Sequence, residues 1–170
     1  MITNNFKKMM AFYPHIYDIN DIYNLVNTSG NTVGNVLGSE DYGFVVSEGY
    51  SYGINATNVT RDYWRYNIFT GSGTTTPTAS DYTLETPVLL TFNSGSVSVA
   101  GTSRIITHTL TNNTGSSVTI NEVALTATRP QSSRFMLDRT VLANPVTIPD
   151  GSSYTFIYNL DFGNITLQQQ

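Results

Sequence analysis

ITHTLTNNTGSSVTINEVALTA, residues 106–127, alternates apolar with small polar residues on either side of an Asn-Asn-Thr-Gly turn. Period-two alternation marks strands with one buried face, and Asn and Gly supply the bend between them. A second stretch, FMLDRTVLANPVTIPDGSSYTFIYNLDF, residues 135–162, repeats the pattern around Pro149-Asp-Gly151. There Pro presets φ and Gly accepts a positive φ, as a tight turn needs. Tyr154, Phe156, Tyr158, Leu160 and Phe162 share one parity, which predicts a strand whose aromatic face feeds the core. Val118 and Ile120 lie on one parity, Val123 and Leu125 on the other. A bulge near Asn121 and Glu122 would return both pairs to the same side.

The same reading extends outward. Ser96–Val99, Thr102–Leu110 and Tyr82–Phe92 read as further strands, the last with Pro87 at its start or edge because Pro cannot donate to a ladder. Residues 71–81, GSGTTTPTASD, hold too few apolar side chains to pack and read as a long crossover loop. Between Thr32 and Phe69 the segments VGNVL, YGFVVS, YSYGINAT and YWRYNIF supply at least three more strands. Asn27–Asn31 is a turn cluster. Residues 1–27 differ: Phe6, Met9, Met10 and Tyr13 fall near helical spacing behind Asn4 or Asn5 as N-cap, and Pro14 ends the run. So short a helix needs a surface to dock on. With Phe12, these residues are the candidate subunit contacts, docking either on their own domain or on a neighbour. The expected fold is all-β, an antiparallel β-sandwich of the jelly-roll or Ig-like kind, with a helix or arm over 1–27 and the β-domain over 28–170.

Composition narrows the function. The chain has 170 residues, enough for one core. Charged residues make up 12%, against roughly a quarter in an average soluble protein. A surface so poor in charge suits a chain covered by partners. With net charge −4 and Lys only at Lys7 and Lys8, no basic face is available for nucleic acid. No apolar run is long enough to cross a bilayer, and the N-terminal residues lack a signal core and cleavage site. The absence of Cys removes disulfides and thiolate chemistry and fits folding in a reducing cytoplasm.

Reactive constellations do not emerge. His15 and His108 are the two histidines, and His108 sits in a strand series where a polar contact is its ordinary role. No phosphate-binding glycine loop occurs. Asp18 and Asp21, or Glu40 and Asp41, lack the alternation of a calcium loop and read as turns. Asn27, Asn55, Asn58, Asn112 and Asn164 begin Asn-x-Ser/Thr triplets and read as surface turns. The expectation is a non-enzyme with no catalytic, cofactor or metal residues. Tyr50, Tyr52, Tyr63, Trp64 and Tyr66 are the candidate surface aromatics; with Arg61 and Arg65 they could stack on a glycan, which is the alternative function of a receptor-binding module.

Three blocks in fixed order, Gly71–Glu85, Thr111–Leu125 and Phe135–Leu142 followed by Pro145–Gly151, resemble a set of small virion proteins of tailed bacteriophages. The resemblance implies a β-sandwich subunit on the phage particle, made in the bacterial cytoplasm and assembled without export. Its partners would be other virion proteins and further copies of itself, a homo-oligomer, in a head-decoration, head-fibre, neck or tail position.

Overall fold

Alternation becomes ladder wherever one parity of a segment can be buried. The computed structural model describes residues 1–7, 25–33, 65–101, 103–128 and 134–161. They form nine strands: β1 Leu25–Val26, β2 Thr32–Val33, β3 Arg65–Gly71, β4 Pro87–Val88, β5 Thr91–Ala100, β6 Ser103–Thr111, β7 Val118–Thr128, β8 Arg134–Ile148 and β9 Ser153–Asp161. All pairings are antiparallel, in a four-stranded sheet ordered β4-β3-β7-β8, a three-stranded sheet β5-β6-β9 and the small pair β1-β2. The described part of the chain is mostly β, with one helical turn over residues 4–7.

One apolar cluster draws on both larger sheets: Ile68, Ile120, Leu125, Phe135, Leu137 and Ile148 from the four-stranded sheet, Ile106, Leu110 and Phe156 from the three-stranded one. Each such side chain, fully withdrawn from water, contributes about 1.5–3 kcal/mol. The β7–β8 register does shift between Ile120 and Glu122, although not through the extra β7 residue expected there. Ile120 faces Val146 and Glu122 faces Val141, so the surplus residues, including Pro145, lie on β8. The shift brings Ile120, Val123 and Leu125 into the same core despite their opposite parities. On β9 the aromatic parity also turns inward: Phe156 is buried, Tyr158 and Leu160 pack against the core, and Tyr154 remains at the rim, 41% exposed.

Three expectations change. Tyr82–Phe92 is not one strand, because only Pro87–Val88 pairs, with Gly71 and Thr70, before β5 begins at Thr91. The helical turn over residues 4–7 is capped by Thr3, whose Oγ1 accepts from Phe6 N–H at 3.4 Å, rather than by Asn4 or Asn5. Asn5 instead pairs with Val26 like a strand residue, its Nδ2 donating to Val26 O at 2.7 Å and its Oδ1 accepting from Val26 N–H at 2.9 Å. Asn112 is not a surface turn residue. It is fully buried, donating to Ser116 O and Ile148 O and accepting from Thr114, so it stitches the β6–β7 turn to the end of β8.

Candidate functional site

The four-stranded sheet is covered on both faces. Away from the main core, Leu84, Ala124, Met136 and Phe69 make a second small cluster beneath residues 72–86. The Gly-Ser-Gly-Thr segment has little apolar material, so charge does the fastening. Glu122, fully buried on β7, accepts from the backbone N–H groups of Gly73 (3.2 Å), Thr86 (2.9 Å) and Glu85 (3.3 Å). Arg139 on β8, 3% exposed, donates its Nε to Glu122 at 2.7 Å, its Nη1 to Asp81 at 2.8 Å and its Nη2 to Thr75 Oγ1 at 3.2 Å. Glu85 stands 3.5 Å from the same guanidinium and accepts from the N–H groups of Thr74 and Thr75. Gly73 is required by proximity, because a Cβ there would lie 2.5 Å from the Glu85 side chain and 2.6 Å from Glu122 Oε1.

Electrostatics follow from this wiring. Burial pushes the Asp81 carboxyl upward, but its bonds to Thr78 and Arg139 outweigh that and hold it below the usual carboxylate value. Bonds from the Thr75 backbone and hydroxyl lower Glu85. Arg139 is opposed by desolvation, yet bonds to Asp81 and Glu122 raise it further above its ordinary value. Both Glu122 oxygens, both Asp81 oxygens and all three guanidinium nitrogens of Arg139 have partners, so the chemistry of this cluster is that of a fastener. Asp81 also walls a cleft of about 290 Å³ with Asn4, Lys7, Val26 and Tyr82, but its Oδ2 is taken by Arg139.

Both remaining ionisable positions near the core are similarly committed. His108, buried on β6, accepts the Ile68 N–H of β3 through Nδ1 at 3.3 Å and meets Phe92 edge-on, with ring centroids 4.9 Å apart. Desolvation lowers its pKa, so the neutral ring is the bonded one. Gly95 opposite leaves room for it, since a Cβ there would come within 2.7 Å of His108 Cδ2. The Tyr158 hydroxyl donates to Asp138 on β8, and burial followed by the Asp138 charge pushes its ionisation up.

The three-stranded sheet is different, for its outer face is bare among the described residues. Cross-strand rungs there read Ser94, Thr109, Thr155, then Ser96, Thr107, Ile157, then Ser98, Ile105, Asn159. Thr109 and Thr155 hydroxyls bond each other at 2.9 Å, and Thr111 and Ser153 at 2.7 Å. Such pairs are worth about 0.2–1 kcal/mol each. Their larger consequence is that covering the face leaves these two hydroxyl pairs still partnered.

Of the residues nominated from sequence, Phe6 packs against the core of its own chain. Met9, Met10, Phe12 and Tyr13 lie outside the described residues, as do Tyr50, Tyr52, Tyr63 and Trp64 and the paired acids Asp18, Asp21, Glu40 and Asp41. Tyr66 is half-buried on β3 and packs against the core, which corrects its reading as a surface aromatic. The sequence reading did not find the Glu122–Arg139 fastener; the signal for it is Glu122 as the one charged residue of Val118–Thr128, whereas Arg139 follows Asp138 directly and carries no such signal. Among the described residues, no group of His, Asp and Glu is arranged to hold a metal ion, and no helix is long and apolar enough to cross a membrane. No family model, curated protein or solved structure matches the chain.

Proposed function

We propose that the chain is a structural subunit of a tailed-bacteriophage particle, working by contact with neighbouring copies and other virion proteins, and that its two larger sheets are the leaves of a β-sandwich. The shared core of Ile68, Leu125 and Phe135 with Ile106, Leu110 and Phe156 supports the sandwich. The observation that carries the functional reading is the outer face of β5-β6-β9. Its rungs from Ser94 to Asn159 carry no charge, and two pairs of hydroxyls, Thr109 with Thr155 and Thr111 with Ser153, bond each other across strands. A face of that kind is cheap to dehydrate against another protein and has no charge to repel a like copy. The Arg139 fastener and the core hydrogen bond of His108 serve rigidity, which a part exposed outside a cell needs more than it needs turnover. The three sequence blocks that resemble small virion proteins belong to the same described part of the chain.

Mass spectrometry of density-purified particles from a lysate of the source tests this directly. The chain is expected at a fixed, repeated copy number per particle. Its presence in the lysate but absence from washed particles overturns the reading.

A further inference from the structure

The two larger sheets end in four edge strands, and three of them carry a device against further pairing. Along residues 134–139 the edge of β8 is occupied by other parts of the chain, since Thr3 N–H donates to Leu137 O at 2.9 Å, Arg139 N–H to Met1 O at 3.1 Å and Thr28 N–H to Arg134 O at 2.9 Å, and beyond them the strand carries Pro145. β4 is two residues long and starts with Pro87. β5 is broken by a register shift between Phe92 and Ser94 and contains Gly95. β9 has none of these. Its nine residues pair with β6 without interruption, and among the described residues no strand lies on its other side. The sequence Ser153–Asp161 has no Pro, Gly, Lys or Arg, and its one charged residue is Asp161 at the end. A long, regular, uncharged edge templates another strand.

We infer that β9 is the seam of a two-fold dimer, pairing antiparallel with β9 of a second copy so that two three-stranded sheets become one of six. The inference rests on the reading of the chain as an assembly subunit and names the neighbour and the register. Full overlap of nine residues about a two-fold axis has one solution, Ile157 facing Ile157 of the second copy. Ile157 is also the large apolar side chain left open on this strand's outer face, 67% exposed. In that register Thr155 faces Asn159 of the second copy and Ser153 faces its Asp161, so hydrophobe meets hydrophobe and the two acids sit at opposite ends. This self-complementarity favours a second copy over an unrelated strand. The rungs that end at Ile157 and Thr155 continue across the seam, which extends the neutral outer face over both subunits.

The absence of cysteine makes the register testable in the full chain, because an introduced thiol reports only its own neighbour. Directly opposed residues of an antiparallel pair have Cα atoms about 4.5–5.5 Å apart, inside disulfide reach. Under mild oxidation I157C is expected to give covalent dimer. T155C alone and N159C alone give none, but their mixture gives a heterodimer, and S96C serves as the surface control. In sedimentation equilibrium, I157K raises the dimer dissociation constant about tenfold or more by opposing like charges, with an unchanged circular dichroism spectrum. A chain that is monomeric at all concentrations, or I157C cross-linking no faster than S96C, overturns the seam. If that chain is nonetheless found in particles, the assembly reading survives without it; if the seam forms but the chain is absent from particles, the virion reading falls alone.

Discussion

The four-stranded sheet and the three-stranded sheet are built from the same alternating sequence, yet they spend their outer faces oppositely. On the first, Ala124, Met136 and Phe69 are roofed by residues 72–86, and Arg139 with Glu122 ties the roof down. On the second, Thr109, Thr155 and Ile157 face outward with nothing described above them. The contrast teaches that polarity by itself does not tell a surface from an interior. Glu122 is fully buried while Ile157 is 67% exposed. What separates them is whether partners exist within the described chain: a carboxylate with four donors can be buried, while Ile157 on the sheet edge stays exposed.

Removing the fastener should break the comparison most severely. Arg139→Ala leaves the buried Glu122 without its cation, a situation that costs about 3–5 kcal/mol. Urea unfolding followed by circular dichroism should show the midpoint falling accordingly, and limited proteolysis should cut first within residues 72–86. A midpoint unchanged within error would mean that the roof is held by its apolar contacts alone.

A smaller effect is expected from acid. Burial holds His108 below the ordinary imidazole value of about 6.5, so the unfolded chain takes up a proton before the folded one does. Stability is then complete above about pH 6.5 and declines as pH falls through that value toward the folded pKa. Asp81 and Glu85, both held below the usual carboxylate range by their hydrogen bonds, add a second decline of the same sign below about pH 4.5. In thermal melts from about pH 3 to pH 7, His108→Gln should flatten the upper decline and leave the lower one. A wild-type melting temperature that rises on acidification between pH 7 and 5 would contradict this assignment.

The smallest effect sharpens the other side of the contrast. Thr155→Ala removes one exposed hydroxyl rung and should shift stability by no more than about 0.5 kcal/mol. A loss above 2 kcal/mol by the same urea titration would show that this face is as structurally committed as the roofed one.

The strands and their punctuation were legible because burial on one side leaves a period in the sequence. β6, β7 and β9 announce themselves through Ile106, Leu110, Ile120, Leu125, Phe156 and Leu160, and the parity change at Asn121 and Glu122 locates the register shift. What could not be read is anything made by residues far apart in the chain. Arg139 meets Glu122 and Asp81 at separations of 17 and 58 residues, and nothing local in Gly71–Asp81 distinguishes a tethered roof from a free loop. The split of Tyr82–Phe92 was hidden for the same reason: Leu84 is drawn under the roof, so the segment leaves the strand path before Pro87. Asn112 reads as a turn residue from its neighbours, and only the arrival of Ile148 makes it an interior one.

Thr3 closes the edge of β8 by bonding Met136 and Leu137, more than 130 positions downstream. During synthesis at about 5–20 residues per second, residues 1–3 must therefore wait on the order of ten seconds for their partners to leave the ribosome. Until then β8 does not exist and the opening residues have no ladder to join. Registering them is a late, long-range event of the kind that slows folding, so the rate of translation becomes a determinant of how many nascent chains find that edge before another chain does.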